Sequence, residues 1–186
     1  MSRLPLVAII VCAALLGSWA EGHAQSAVPS DSVTQRYRTA LVTLRNSVSR
    51  VRSDIDRFRR DLQSAGARTV ENRSRRLQSS CQSLGATLVE TEPGVRVNPR
   101  LGARADELRA AERDLVQQMR SVRRVLRDVC EQGLAPTGPG EWADSLKAWG
   151  PYRTSRLEQS LLALHGASAR FAGAAGIKIE PRLPSN

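Results

Sequence analysis

The sequence predicts an all-α protein, an elongated antiparallel helical bundle or coiled coil of three to four helices. Two heptad stretches carry this prediction. Between Tyr37 and Leu62 apolar residues recur at alternating spacings of four and three. Leu41, Val48, Ile55 and Leu62 hold one core position, and Tyr37, Leu44, Val51 and Phe58 hold the other. Residues 101 to 129 repeat the period through Leu101, Ala105, Leu108, Leu115, Met119, Val122, Leu126 and Val129. Such a period keeps one apolar seam along each helix, and a seam is buried only against another helix. The third observation is compositional. Hydrophobic residues make up 41% of the chain but aromatic residues only 4%, fewer than most strand-rich folds carry. A length of 186 residues fits one domain, or one domain with a short accessory segment.

The chain opens with a short basic start ending at Arg3, followed by an almost unbroken apolar run from Leu4 to Leu16. Gly22 and Ala24 then supply small residues at a cleavage site, so residues 1–24 read as a secretory signal peptide cut after Ala24. An uncleaved anchor is the alternative. Cys12 lies in mid-run behind Val11, which is not the position of a lipidated cysteine. The implied address is periplasmic or secreted. Residues 25–30 form a flexible lead-in, and residues 31–172 form the helical bundle domain.

The first helix is expected over 31–64, about 50 Å long at 1.5 Å per residue, with Ser30 or Ser32 as its cap. The segment Ser64-Ala65-Gly66-Ala67 breaks the period, which predicts a bend or a short connection. Val70, Leu77, Cys81, Leu84 and Leu88 then place a second helix near 69–84. Pro93-Gly94 signals a turn within 85–97. An irregular loop is favoured there over a small hairpin of Leu88-Val89 with Val95 to Val97. Asn98-Pro99 reads as a cap with proline at the first position of the third helix, and Gly133 as its stop. Glu112, at a core heptad position, is expected to pair with a nearby arginine. The fourth helical region starts near Glu141, and Gly150-Pro151 is expected to break or kink it. Leu157, Leu161, Leu164 and Phe171 resume the stripe, and residues 173–186 are expected to form a flexible tail. Trp142, Trp149 and Tyr152 would cap the bundle end, with an exposed aromatic patch as the alternative.

After cleavage two cysteines remain, Cys81 and Cys130. In an exported chain they favour one disulfide over two buried thiols. That bridge constrains the topology. If residues 31–84 formed a straight rod with a short return, Cys81 and Cys130 would lie some 35 Å apart at about 1.5 Å per helical residue. Either the chain folds back near Gly66, or residues 85–97 run the length of the bundle, or no intrachain bridge forms.

The charge pattern is the most specific feature. The chain carries 28 basic and 18 acidic residues, a formal charge of +10. Residues 36–76 hold twelve arginines and four acids. With Leu41 as position a, Arg38, Arg45, Arg52 and Arg59 fill every e position, and Arg36, Arg50 and Arg57 fill three c positions. Guanidinium forks match phosphate and carboxylate oxygens, so the ladder is a candidate anion- or partner-binding surface. The competing reading places it beside the seam, pairing with third-helix acids such as Glu107, Glu112, Asp114 and Asp128. Asp54 and Asp56, set among the arginines, read as surface charge.

Chemistry finds little footing. No Gly-rich phosphate loop, Gly-x-Ser-x-Gly elbow, His-Glu-x-x-His or Cys-x-x-Cys occurs. Two histidines, three cysteines and two methionines in the whole chain leave few ligands for a metal or haem. The expectation is therefore a non-enzyme without cofactor or metal, and nucleic acid is disfavoured by export and by the lack of stacking aromatics. In composition and period the mature chain is similar to the periplasmic helical chaperones of the Skp type. That resemblance implies a holdase role. The residues themselves favour a binding or scaffolding module for an envelope protein or an anionic envelope surface, with oligomerisation open.

Overall fold

The computed structural model describes residues 31–99, 105–134 and 141–178. The signal peptide and lead-in expected over residues 1–30 lie outside the described residues, as does most of the C-terminal tail. Four helices pack against one another: α1 (Asp31–Ser64), α2 (Ala67–Thr91), α3 (Asp106–Leu126) and α4 (Glu141–Ala174). A 3₁₀ turn, Pro93–Val95, follows α2, and a π-helical segment, Arg127–Gly133, prolongs α3. Among the described residues no helix is long and apolar enough to cross a membrane.

The α1 helix has the expected bounds, and all eight of its heptad residues are buried. The chain then folds back at Gly66, the first of the three routes open to the disulfide. The α1 and α2 helices run antiparallel in a steady register. Arg73 meets Asp61, Ser80 meets Asp54, Ser47 meets Thr87, and Gly94 lies against Ala40. The same pattern joins α2 to α3, through Cys81–Cys130 and Arg96–Glu112. It joins α3 to α4 through Asp128–Arg156 and Asp114–Arg170, and α4 back to α1 through Glu158–Arg59 and Phe171–Tyr37. Every neighbouring pair is antiparallel, which closes an up-down-up-down bundle.

Several expectations are corrected. The α2 helix does not stop near residue 84 but continues to Thr91. Glycine costs a helix only about 1 kcal/mol relative to alanine. The buried row Cys81, Leu84, Leu88 crosses Gly85 unbroken, and Thr91 joins it. Thr87 and Thr91 return their hydroxyls to the carbonyls one turn back, so the last turns hide no open donor. There is no hairpin, and Val95 and Val97 are buried after the 3₁₀ turn. The third helix is capped not by Asn98 but at Ala105, and Leu101 lies outside the described residues.

Pro151 does not break α4, which is helical from Glu141 to Ala174. Leu146 and Leu157 are buried on either side of it, so packing holds the helix through the lost hydrogen bond. The aromatic segment divides: Trp142 is buried, while Trp149 and Tyr152 are exposed. Residues 173–178, expected in the tail, are part of the packed structure. Gly176, at φ +68°, ends α4, with its N–H on Gly173 O and the Ile177 N–H on Ala172 O. This pairing closes a helix end, and it needs a left-handed residue that glycine adopts without strain. Ile177 is buried beneath it.

The disulfide Cys81–Cys130 is formed, with Cα atoms 6.4 Å apart. It ties the π segment to α2, and two side chains secure the end of that segment. Ser74 Oγ donates to Leu134 O at 3.0 Å, and Arg153 Nη1 donates to Gly133 O. A Cβ at Gly133 would lie 3.0 Å from Arg153 Cδ and 3.2 Å from Asp128 O. A side chain at this position would press on Arg153 and on the Asp128 carbonyl.

Candidate functional site

The heptad flanks of α1 have opposite chemistry. Its g positions are Ala40, Ser47, Asp54 and Asp61, small or acidic, and all four meet α2 or the turn after it. Its e positions are the arginine ladder, on the side of α4. Arg59 donates from Nε to Thr154 Oγ1 at 3.0 Å, from Nη1 to Glu158 Oε2 at 2.6 Å and from Nη2 to Ser155 Oγ at 3.0 Å. Arg52 reaches the other oxygen of Glu158 at 3.9 Å, and its Nε is buried without an acceptor. Arg45 lines a cavity between α1 and α4, and Arg38 is exposed.

The ladder is thus brought together with α4, not with the third-helix acids. Those have other partners: Glu112 takes Arg96, Asp114 takes Arg170, and Asp128 takes Arg156. Of the c positions, Arg36 and Arg50 are exposed and Arg57 pairs with Asp54 at 3.7 Å. Arg36 is also held, donating to Arg96 O at 2.9 Å and lying 5.3 Å from the centre of the Tyr37 ring. Asp54 is not surface charge but is 5% exposed. It accepts from Ser80 Oγ at 2.5 Å and pairs with Arg57 and Arg76.

Tyr37 joins three segments at the other end of the bundle. Its ring meets Phe171 edge-on at 5.2 Å, and its hydroxyl donates to Arg96 O at 3.4 Å. Burial pushes its phenol above the ordinary tyrosine range, against the lowering effect of Arg36.

A second basic surface lies on the outside of α3. Arg96, Arg113, Arg120, Arg123, Arg124 and Arg127 line an open groove of 660 Å³, together with the buried Val116 and the exposed Gln117. The α3 residues stand at spacings of three, four and seven, which puts them on one face of the helix. From Arg113 to Arg127 that face extends about 21 Å at 1.5 Å per residue. Arg113, Arg120, Arg123, Arg124 and, in the π segment, Arg127 are all exposed. At one end Glu92 lies between Arg96, at 2.6 Å, and Arg120, at 3.4 Å. Glu112 holds Arg96 from the other side and accepts the Val97 N–H at 3.2 Å. Arg113, Arg123, Arg124 and Arg127 make no ion pair among the described residues.

The sequence does hold a signal for this surface, since residues 115–127 carry four arginines and no acid. Over the whole of α3 Asp106, Glu107, Glu112 and Asp114 nearly offset the arginines, and the larger excess over residues 36–76 outweighs it. The spacing 113, 120, 123, 124, 127 then places the arginines on one face of the helix. No family model, no curated protein and no solved structure matches this chain.

Proposed function

We propose that this chain is an exported, non-enzymatic helical bundle that acts as a binding module at the cell envelope and engages an anionic surface through the arginine groove of α3. The single observation that carries the reading is this row of five exposed arginines, four of them without a carboxylate partner among the described residues. Guanidinium groups spread over some 20 Å suit an extended array of phosphates or carboxylates better than one small anion. The α1 ladder, first in rank by sequence, supports the scaffold instead, since Arg52 and Arg59 are engaged by Glu158. A rigid bundle with a bridged core holds the row in one geometry, so little conformational freedom is lost on contact.

The test is binding of the disulfide-bonded protein to anionic and neutral phospholipid vesicles across a salt series. Wild type is expected to bind the anionic vesicles alone and to release as salt rises, because exposed charges are screened within about 8 Å at physiological ionic strength. The fourfold variant Arg113→Gln, Arg120→Gln, Arg124→Gln, Arg127→Gln is expected to lose binding while remaining folded. A variant carrying Arg38→Gln and Arg50→Gln is expected to retain most of it. Equal loss in both would return the contact to α1. No anion-selective binding would reject the surface reading and direct the search to a protein partner.

A further inference from the structure

The cavity between α1 and α4 is a second site of different chemistry. It measures 310 Å³, at the lower end of the range of small-molecule pockets. Its wall is apolar, made by Leu41, Leu44 and Val48 from α1 and by Ala172 and Ile177 from the end of α4. Small residues create the space: Ala169, Ala172 and Gly173 face it, and a Cβ added to Gly173 would meet nothing within 4 Å. The exposed Ala169, Gly173 and Lys178 mark its mouth. The charged side chains that line it are Arg45 and Lys178, both cations. His165 stands with them, and no carboxylate does among the described residues. Ser168 contributes little polarity, because its hydroxyl donates to Leu164 O at 2.8 Å.

An apolar wall excludes an inorganic anion, which would lose its hydration for one contact at the rim. The Lys178 cation at the mouth, with no carboxylate in the lining among the described residues, disfavours a cationic amphiphile and gives a neutral one no charge to pair with. The shape of the charge therefore selects one class, an apolar chain that ends in a negative group. We propose that this cavity binds a fatty acid, its acyl chain between α1 and α4 and its carboxylate at Lys178 on the rim. A carboxylate oxygen accepts from the Lys178 ammonium there, and the alkyl stem of that side chain extends the apolar wall outward. The closing turn at Gly176 takes part, since it turns the chain so that Ile177 lines the cavity and Lys178 stands at its rim. This site is independent of the α3 groove.

The experiment is calorimetric titration of the disulfide-bonded protein with laurate, dodecanol and dodecylammonium, the two ionic ligands kept below their micelle concentrations and dodecanol below its solubility limit. Laurate is expected to bind at one site with a Kd of micromolar order, the range open to a ligand of this size. Dodecylammonium is expected to bind at least about tenfold more weakly. Ala169→Trp, at an exposed rim position, is expected to abolish laurate binding with the circular dichroism spectrum unchanged. Lys178→Gln is expected to remove the preference for laurate over dodecanol, and it decides the question should Ala169→Trp fail to fold. The fourfold α3 variant is expected to bind laurate as wild type does, which separates this site from the vesicle contact. No saturable laurate binding, equal binding of laurate and dodecylammonium, or unaltered binding by a folded Ala169→Trp would overturn the proposal.

Discussion

Replacing Arg59 with alanine measures what the α1 ladder does for the fold. The substitution removes the pair with Glu158 and the bonds to Thr154 and Ser155. A hydrogen bond to a charged group contributes about 1.5–3 kcal/mol, whereas a solvent-exposed ion pair contributes about 0.2–1 kcal/mol. Arg59 and Glu158 are 28% and 27% exposed, so the screened value governs their pairing. Thr154 is fully buried but also donates to Gly150 O at 2.8 Å, so it is not orphaned. With the arginine stem lost from the α1–α4 seam as well, the expected cost is about 1.5–2 kcal/mol. In a domain of this size that lowers Tm by roughly 3–8 °C. Arg38→Ala, at an exposed position of the same row, is expected to change stability by no more than about 0.5 kcal/mol. The assay is urea unfolding followed by far-ultraviolet circular dichroism, with unchanged m-values as the condition for comparing midpoints. A double cycle with Glu158→Ala is expected to show coupling of about 1 kcal/mol. Equal effects of Arg59→Ala and Arg38→Ala, or no coupling to Glu158, would refute the assignment of this row to helix pairing.

Three further outcomes are expected. The double variant Cys81→Ala, Cys130→Ala should lose about 4 kcal/mol, the loop-closure contribution of a bridge across 49 residues, and scanning calorimetry should find Tm lower by roughly 8–16 °C. An unchanged Tm would mean that the cross-link adds nothing to the packed helices. Asp54→Ala should cost about 1–3 kcal/mol by leaving the buried Ser80 hydroxyl without its acceptor, and adding Ser80→Ala should restore part of the loss in denaturant titrations. Tyr37 is raised by burial in the folded chain, so above about pH 10 the unfolded chain has fewer protons than the native one, and stability falls as pH rises through that window. Tyr37→Phe should flatten this alkaline slope, and an identical pH profile in both proteins would show that the phenol is not its source.

The secondary structure of α1 was legible because a heptad needs only its own residues to announce itself. Tyr37, Leu41 and the six apolar residues that follow are buried as their spacing requires. The same holds for the α3 seam and for the cysteine pair, whose number, with the export expected from the sequence, implied a bridge. Gly66 and Pro151 show where local signals stop. Both weaken a helix, yet the chain turns at the first and passes through the second. The difference lies in the core. Residues beyond Pro151 continue a stripe already buried against α1, whereas those beyond Gly66 are out of phase with the seam before them.

Sequence by itself determined the class of fold, the buried seams and the sign of the surface, since periodicity and charge are properties of single segments. Tertiary structure alone decided which arginines are used up and which are offered. A guanidinium on α1 is bound or free according to whether Glu158, some hundred residues away, lies opposite it, and no spacing within α1 encodes that distance. Two helices far apart in the chain likewise had to meet before Leu41, Ala172 and Lys178 could enclose one cavity. Sites that join distant segments are created by packing, and packing is a property of the whole molecule.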